Sequence, residues 1–169
     1  NQALRANYSM KNDVDYVVVT NNGGVASLSI SGLDAGEYPI SAVTLATDDY
    51  ASASYIGNAK VVIKKITPIV NIPNSYIVNY PDTGYMGIIS SVPGTYTVKV
   101  GTEEIPVVIT EANKIVIFNI TKVFDVGRYN VSVTADLGKN YEPVDTGAIA
   151  TYTVNNGTIR VTAEDTVVE

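Results

Sequence analysis

The sequence predicts an all-β protein built from β-sandwich repeats, and three observations support this. Val, Ile, Tyr and Thr are abundant, with twelve tyrosines, whereas leucine is sparse; β-branched and aromatic side chains favour pleated, half-buried strands. Short alternating segments are separated by Pro, Gly, Asn and Asp turn signals, and no stretch has the apolar spacing of a helix. Similar motifs also recur about 90 residues apart.

The internal repeat is defined by a short motif. Residues 34–38 and 125–129 both read D-x-G-x-Y, 91 residues apart, and the same offset carries Tyr50 onto Tyr141. Further upstream, residues 16–20 match 106–110 at an offset of 90, and residues 8–11 match 96–99 at an offset of 88. The matches keep the same order along the chain, and the drifting offsets predict small loop insertions.

These matches divide the sequence into three parts. Residues 1–65 form a partial repeat that lacks its first strands, the counterpart of roughly residues 66–88. Residues 66–155 form a complete repeat. Residues 156–169 are the first strand of a further repeat or a donor strand.

Within the complete repeat, alternation and turn signals predict eight short strands. This number of strands in about 90 residues is typical of a β-sandwich. Residues 101–104 are predicted to form a hairpin loop. The predicted strands are 67–72, 76–80, 84–90, 95–100, 105–110, 114–120, 128–135 and 148–154.

Composition argues against several function classes. The net charge is −6 and there is no basic run, which disfavours a nucleic-acid or anionic-membrane partner. Cysteine and histidine are absent, so the usual nucleophile–base pairs and the commonest metal ligands are missing. No nucleophile or phosphate-loop motif occurs. Acidic pairs such as Asp48-Asp49 and Glu103-Glu104 are interpreted as solvated loop carboxylates. We therefore predict no catalytic residue, cofactor or metal site.

The D-x-G-x-Y motif resembles the segment at the E–F corner of immunoglobulin-like domains, where a tyrosine can bond back to the main chain. Residues 24–38, then Asp48-Asp49-Tyr50 and a Val-rich final strand, resemble the Ig-like tandem repeats of bacterial and archaeal adhesin-like surface proteins. Ile40 and Val131 stand where antibody domains carry a cysteine. The resemblance implies tandem immunoglobulin-like β-sandwich domains, the first one incomplete.

Two groups of candidate site residues follow. The corner motifs are predicted to be structural: the glycines supply an unusual backbone angle, the aspartates cap the turn and the tyrosines satisfy their hydroxyls. Four Asn-x-Ser/Thr sequons are candidate glycosylation sites. The corner residues are Asp34, Gly36, Tyr38, Asp125, Gly127 and Tyr129, and the sequon residues are Asn7, Asn119, Asn130 and Asn156.

The predicted function is a structural or adhesive spacer in an extracellular cell-surface array or filament. Its partners would be neighbouring copies or repeats, with no nucleic acid and no direct membrane insertion. Two alternatives stay open: a module that recognises a glycan or a protein through loops such as 48–55 and 139–146, and a phage or virion decoration protein.

The C-terminal segment carries a further hypothesis about assembly. Ile159, Val161 and Val167 are candidate donor-strand residues, because an incomplete N-terminal sandwich would have unpaired strand edges to receive them. Head-to-tail addition between copies would generate filaments or rings. The alternative is that both ends are cut from a longer chain.

Overall fold

The computed structural model contains strands and no helix in the part of the chain that it describes, so the predicted all-β class is confirmed. The chain divides into two compact units, unit 1 (Asn1–Ile66) and unit 2 (Thr67–Glu169). For residues 3–8 and 15–19 the backbone alone is described. The described residues are 3–8, 15–19, 25, 27, 31–44, 46, 48–55 and 57–164.

The described part of unit 1 contains one antiparallel sheet of four strands. Along β3, half-buried and exposed side chains alternate, which is the period of two that a sheet with one covered face requires. The order across the sheet is β2-β1-β3-β4, where β1 is Ala3–Tyr8, β2 is Asp15–Val19, β3 is Gly36–Thr44 and β4 is Lys60–Ile63.

Unit 2 contains two sheets. Its strands are β5 Val70–Asn71, β6 Tyr76–Asn79, β7 Gly84–Ser90, β8 Gly94–Val100, β9 Glu103–Ile109, β10 Val116–Ile120, β11 Gly127–Ala135 and β12 Val144–Asn155. One sheet has the order β10-β7-β5, and the other has the order β6-β12-β11-β8-β9. Every pairing is antiparallel except that of β6 with β12, which is parallel.

A single apolar core joins the two sheets of unit 2. Alternate residues of β7, such as Met86 and Ile88, and of β8, such as Val98 and Val100, are buried in it. The core consists of Val, Ile, Tyr, Phe and Met side chains from both sheets, so the residue types that identified the strands also fill the space between them. This packing makes unit 2 sandwich-like.

The strand predicted at 67–72 is much shorter than expected. β5 contains two residues, and they pair with Ile89 and Ser90 of β7. Prolines 68 and 73 flank it, and proline has no N–H to donate to a strand ladder. Between Pro68 and β5, Ile69 bonds instead to a loop residue, because its N–H donates to Ser91 Oγ and its carbonyl accepts from the Ser91 N–H, both at 2.9 Å.

The last strand is longer than predicted, since β12 begins at Val144 and not at 148. Gly147 has a φ of 60° and lies at a shift in register opposite β11, which is a β-bulge. The side chain of Thr146 supplies an acceptor where the ladder of main-chain hydrogen bonds is interrupted, because its Oγ1 accepts the Val133 N–H at 2.9 Å. A glycine that looks like a strand boundary in the sequence is therefore inside the strand.

The two units share the register of their final strand pair. In unit 1, Gly36 lies opposite Ile63; in unit 2, Gly127 lies opposite Val154. Each residue of the unit 2 pair lies 91 positions after the corresponding residue of the unit 1 pair. The β2-β1-β3-β4 order of unit 1 is also the order of β9, β8, β11 and β12 in unit 2.

The earlier strands follow a different offset from the one predicted. Tyr8 lies opposite Ile40, and Val100 lies opposite Val131, so an offset of 91 between Ile40 and Val131 aligns Tyr8 with Val100 and not with Tyr96. The predicted offset of 88 for this strand is wrong. Six residues separate β1 from β2, whereas two residues separate β8 from β9, so the two strand connections differ in length.

Candidate functional site

The two D-x-G-x-Y motifs form the same contact in both units. Tyr38 donates its hydroxyl hydrogen bond to the carbonyl oxygen of Asp34 at 2.8 Å, and Tyr129 donates to the carbonyl of Asp125 at 2.9 Å. In each case the tyrosine is near the start of a strand and reaches four residues back. The hydrogen bond therefore fastens the preceding turn to the strand, and its acceptor is the main chain of the aspartate and not the carboxylate.

The expectation of an unusual backbone angle holds for one of the two corner glycines and not for the other. Gly36 has a φ of 158°, which residues with a side chain rarely adopt, whereas Gly127 is not among the described glycines with a positive φ. A Cβ added at Gly36 would lie 3.6 Å from the Tyr38 hydroxyl oxygen, and one at Gly127 would lie 3.7 Å from the Tyr129 ring. Each glycine thus lies against the ring of its own corner tyrosine.

A third tyrosine makes the same four-residue contact, and the sequence analysis missed it. The Tyr96 hydroxyl donates to the carbonyl of Val92 at 2.7 Å and shares a second hydrogen bond of 2.7 Å with Ser90 Oγ. Ser90 Oγ also accepts the Val92 N–H at 3.1 Å. Gly94 precedes the tyrosine by two positions, so the G-x-Y part of the motif is present without an aspartate. Because a main-chain carbonyl is the acceptor, no aspartate is needed.

Tyr96 also links the two sheets of unit 2. Ser90 ends β7 of the three-stranded sheet and Tyr96 belongs to β8 of the five-stranded sheet. Both residues are buried, Tyr96 fully so. A buried hydrogen bond between satisfied partners stabilises more than an exposed one, since leaving either partner alone would cost its full desolvation.

Five aromatic rings form a continuous row through unit 2. Successive ring centroids are separated by 5.1, 6.3, 5.7 and 4.6 Å, distances at which aromatic pairs attract each other. The row begins on β7 and ends on β11, and its members in order are Tyr85, Tyr76, Tyr152, Phe124 and Tyr129.

Tyr152 is at the centre of this row and is fully buried, yet its hydroxyl has no hydrogen-bond partner among the described residues. Burial raises the pKa of the Tyr152 hydroxyl, and the neighbouring Tyr76 raises it further. Burial also raises the pKa of Tyr96, which the Ser90 hydrogen bond partly offsets and Tyr141 increases. Both hydroxyls are therefore neutral at neutral pH. The Tyr96 hydroxyl forms hydrogen bonds, whereas the Tyr152 hydroxyl forms none with the described residues.

The sequons are dispersed and do not form one site. Asn119 is exposed on β10 and Asn130 on β11, whereas Asn156 is exposed directly after β12. The backbone of Asn7 belongs to β1 and lies opposite Asp15, but its side chain is outside the described residues.

The C-terminal tail, defined here as residues 156–164, is exposed and has no strand assignment. Ile159 and Val161 are 89% and 86% exposed, whereas Val167 lies outside the described residues. Gly157 fixes where the tail leaves the end of β12, because a Cβ at this position would overlap the main-chain carbonyl of Tyr80.

An open groove of about 270 Å³ lies on the outer side of unit 2. It is lined by residues between β5 and β6 and by the exposed face of the three-stranded sheet, including Pro73, Tyr76, Tyr85 and Ile117. Its walls are mostly apolar and no charged side chain lines it.

The charged groups of the described chain are dispersed over the surface. Glu103 pairs with Lys122 and Glu104 with Lys99, both at 3.0 Å. No group of three or more His, Cys, Asp or Glu residues that could hold a metal ion occurs in the described ranges. Those ranges also contain no helix long and apolar enough to cross a membrane.

A comparison with protein-family models gives no match, and a comparison with curated proteins gives none either.

The contrast between Tyr96 and Tyr152 gives a testable prediction. Tyr96→Phe removes a hydroxyl bonded to two buried partners, so we expect it to lower the free energy of unfolding by about 1–3 kcal/mol. Tyr152→Phe makes the same chemical change at an equally buried position but removes a hydroxyl without a partner. We expect it to leave the free energy unchanged or to raise it. Urea unfolding of both variants measures this; equal losses would contradict it.

Proposed function

We propose that this chain is a structural or adhesive spacer in an extracellular cell-surface array or filament, assembled from immunoglobulin-like β-sandwich repeats. The observation that carries this proposal is the shared register of the final strand pair, offset by 91 residues on both strands. The same tyrosine contact precedes that pair in both units. A recurring strand pair with a recurring corner is what a duplicated domain would have.

The strand order of unit 2 supports an immunoglobulin-like sandwich. In such a domain, strands A, B and E form one sheet and strands G, F and C form the other, with C′ added beside C in some types. Here β5, β7 and β10 correspond to the first sheet, and β12, β11, β8 and β9 to the second. Tyr129 lies just inside β11, the position at which a tyrosine corner occurs in these domains.

The exposed tail supports continuation into another repeat. Residues 159–161 are similar in sequence to residues 70–72, which include β5. Chain entry and exit also suit a serial arrangement. Because β6 and β12 are parallel, β6 starts and β12 ends at opposite ends of the sandwich.

The same features favour a non-enzymatic role. The described acidic side chains form no cluster able to hold a metal, and the two tyrosines with raised pKa are buried in the core and not exposed in a cleft. The polar groups that are buried act between strands, as in the link between Ser90 and Tyr96.

Recognition of a glycan or protein is the second candidate function. The groove lined by Tyr76 and Tyr85 favours it, because apolar walls with aromatic side chains are common in ligand sites. A glycan-array screen distinguishes the two functions: specific binding that Tyr85→Ala abolishes, with unfolding unchanged, would favour recognition over spacing alone.

A spacer should lengthen when a unit is added. We expect a chain with a second copy of residues 65–155 inserted after Asn155, and ending at Thr158 so that strand donation is removed, to fold and stay monomeric, because the new junction repeats the one between residues 64 and 65. Its maximum dimension, measured by small-angle scattering, should increase by about 40 Å, the length of a twelve-residue strand such as β12. Collapse to a compact particle of unchanged length would contradict the spacer proposal.

The extracellular location has its own test. Antibodies raised against the chain are expected to label intact cells that produce it, without permeabilisation. An antibody against an abundant internal protein controls for leakage. Labelling that appears only after permeabilisation would place the chain inside the cell and contradict the array.

Strand donation between copies remains our proposal for how an assembly could form. We expect the full chain to associate as its concentration rises in sedimentation equilibrium, and a chain ending at Thr158 to remain monomeric. This truncation keeps Gly157 against Tyr80, so it removes the apolar tail without disturbing its anchor. Ile159→Asp with Val161→Asp should act like the truncation. A full chain that is itself monomeric would exclude strand donation and leave the spacer function intact.

A further inference from the structure

The outer face of the three-stranded sheet combines exposed apolar side chains with one sequon. Asn119 of β10 lies opposite Tyr85 of β7, and directly opposite residues of an antiparallel pair share a face of the sheet. On the same face, Ile117 lies opposite Gly87. Tyr85 and Ile117 are 53% and 58% exposed, and Asn119 is exposed beside them. The sequon asparagine therefore lies at the margin of an uncovered apolar surface.

Gly87 makes this surface concave. A Cβ at Gly87 would lie 3.0 Å from Ile115 Cγ2 and 3.4 Å from Ile117 Cδ1, so the two isoleucines extend over the glycine. The Tyr85 ring packs against Tyr76 at a centroid distance of 5.1 Å, which holds the ring in place. These residues line the open groove of about 270 Å³, and no charged side chain lines it. The groove therefore offers an aromatic ring and aliphatic side chains to an occupant that brings its own polar groups.

The position of β10 in its sheet leaves room for such an occupant. β10 ends the order β10-β7-β5, so no strand of the described chain pairs with it on its outer side. Asn119 and Thr121 are both exposed, and they supply the amide and the hydroxyl that a sequon requires. A large group attached to Asn119 could extend over the groove or past the edge of the sheet without meeting a neighbouring strand.

From these observations we propose that Asn119 is an N-glycosylation site and that its own glycan covers the apolar face around Tyr85. A glycan is bulky and hydrophilic, but each sugar ring also has a face of C–H groups that can pack on an aromatic ring. Attached to Asn119, the glycan would place such a face on Tyr85 and its hydroxyls in water. This proposal rests on the extracellular location in the proposed function, because this modification belongs to secreted proteins.

The modification is a glycosyl transfer without oxidation or reduction. Asn119 Nδ2 forms a bond to the anomeric carbon of a glycan carried on a lipid phosphate, and the bond between that carbon and the phosphate oxygen breaks. The proton lost from the amide nitrogen leaves with the released phosphate. The cell supplies the lipid-linked donor and the transferring enzyme, and this chain supplies the acceptor amide.

The other two sequons whose side chains are described have different surroundings. Asn130 is on β11, which lies between β12 and β8 in the five-stranded sheet, and its cross-strand neighbour on β12 is the polar Thr151. Asn156 is exposed after the end of β12 and belongs to no strand. We therefore expect a glycan at Asn119 to stabilise the protein and a glycan at Asn130 to have little effect.

The first test is peptide mass spectrometry on the full chain isolated from the cells that produce it, together with antibody labelling of those cells. A glycan should be found on Asn119; Thr121→Ala should abolish it and Thr121→Ser should retain it. An unmodified Asn119 in a chain that is labelled at the surface would overturn this proposal and leave the spacer function intact. An unmodified chain found only inside the cell would overturn both.

Urea unfolding then tests whether the glycan covers the face. The glycosylated chain should have a urea midpoint roughly 0.3 M higher than the same chain produced in a host that does not glycosylate. Tyr85→Ala should abolish this difference while Asn119 stays occupied, because the sugar then has no ring to cover. Asn130→Gln is the matched control and should leave the difference unchanged. Equal midpoints with and without the glycan, or a difference that persists in Tyr85→Ala, would overturn the covering role.

Discussion

The crossing of the chain from one sheet to the other between Asn71 and Tyr76 is the constraint on which the architecture of unit 2 depends. Pro73 cannot continue the pairing of β5 with β7, because it has no N–H to donate. The chain therefore leaves the three-stranded sheet after two paired residues and joins the free side of β12 in parallel. Both sheets receive a strand from the same entering segment, which ties them together at their margins.

The absence of cysteine is a second constraint, and it acts on the core between the two sheets of unit 2. A disulfide between the sheets is unavailable, and apolar packing alone is tolerant of small shifts between layers. The Tyr96 hydroxyl contributes directionality, because its bonds to Ser90 and Val92 require one relative position of β7 and β8. Buried and fully bonded, it specifies the alignment of the layers in a way that Val and Ile side chains do not.

Much of this fold could be predicted from the sequence, because β-branched residues and the alternation of apolar and polar residues indicate where the strands lie. β7, β8, β9, β10 and β11 begin and end within two residues of the expected positions. The predicted strand bounds were wrong where a glycine or a proline is compatible with more than one local structure. Gly147 looks like a strand boundary and is a bulge inside β12, and prolines 68 and 73 shortened β5 from both sides.

The candidate site could also be predicted only in part. The tyrosine of D-x-G-x-Y was identified from its spacing, but the role assigned to the glycine was wrong for Gly127, whose backbone is not in the left-handed region. Tyr96 was not predicted because its G-x-Y segment lacks the aspartate of the motif, although the acceptor is a main-chain carbonyl that any residue supplies. The missing hydrogen bond of Tyr152 depends on which side chains surround it, and no sequence pattern encodes that.

The row of five aromatic rings has a consequence for observing this protein. The chain has no tryptophan, so its near-ultraviolet signal comes from tyrosine and phenylalanine. Tyr76 of β6 and Tyr152 of β12 are neighbours in that row, and fixed packing of aromatic rings is what gives near-ultraviolet circular dichroism its intensity. The optical spectrum of the unlabelled protein should therefore report whether β6 and β12 are joined.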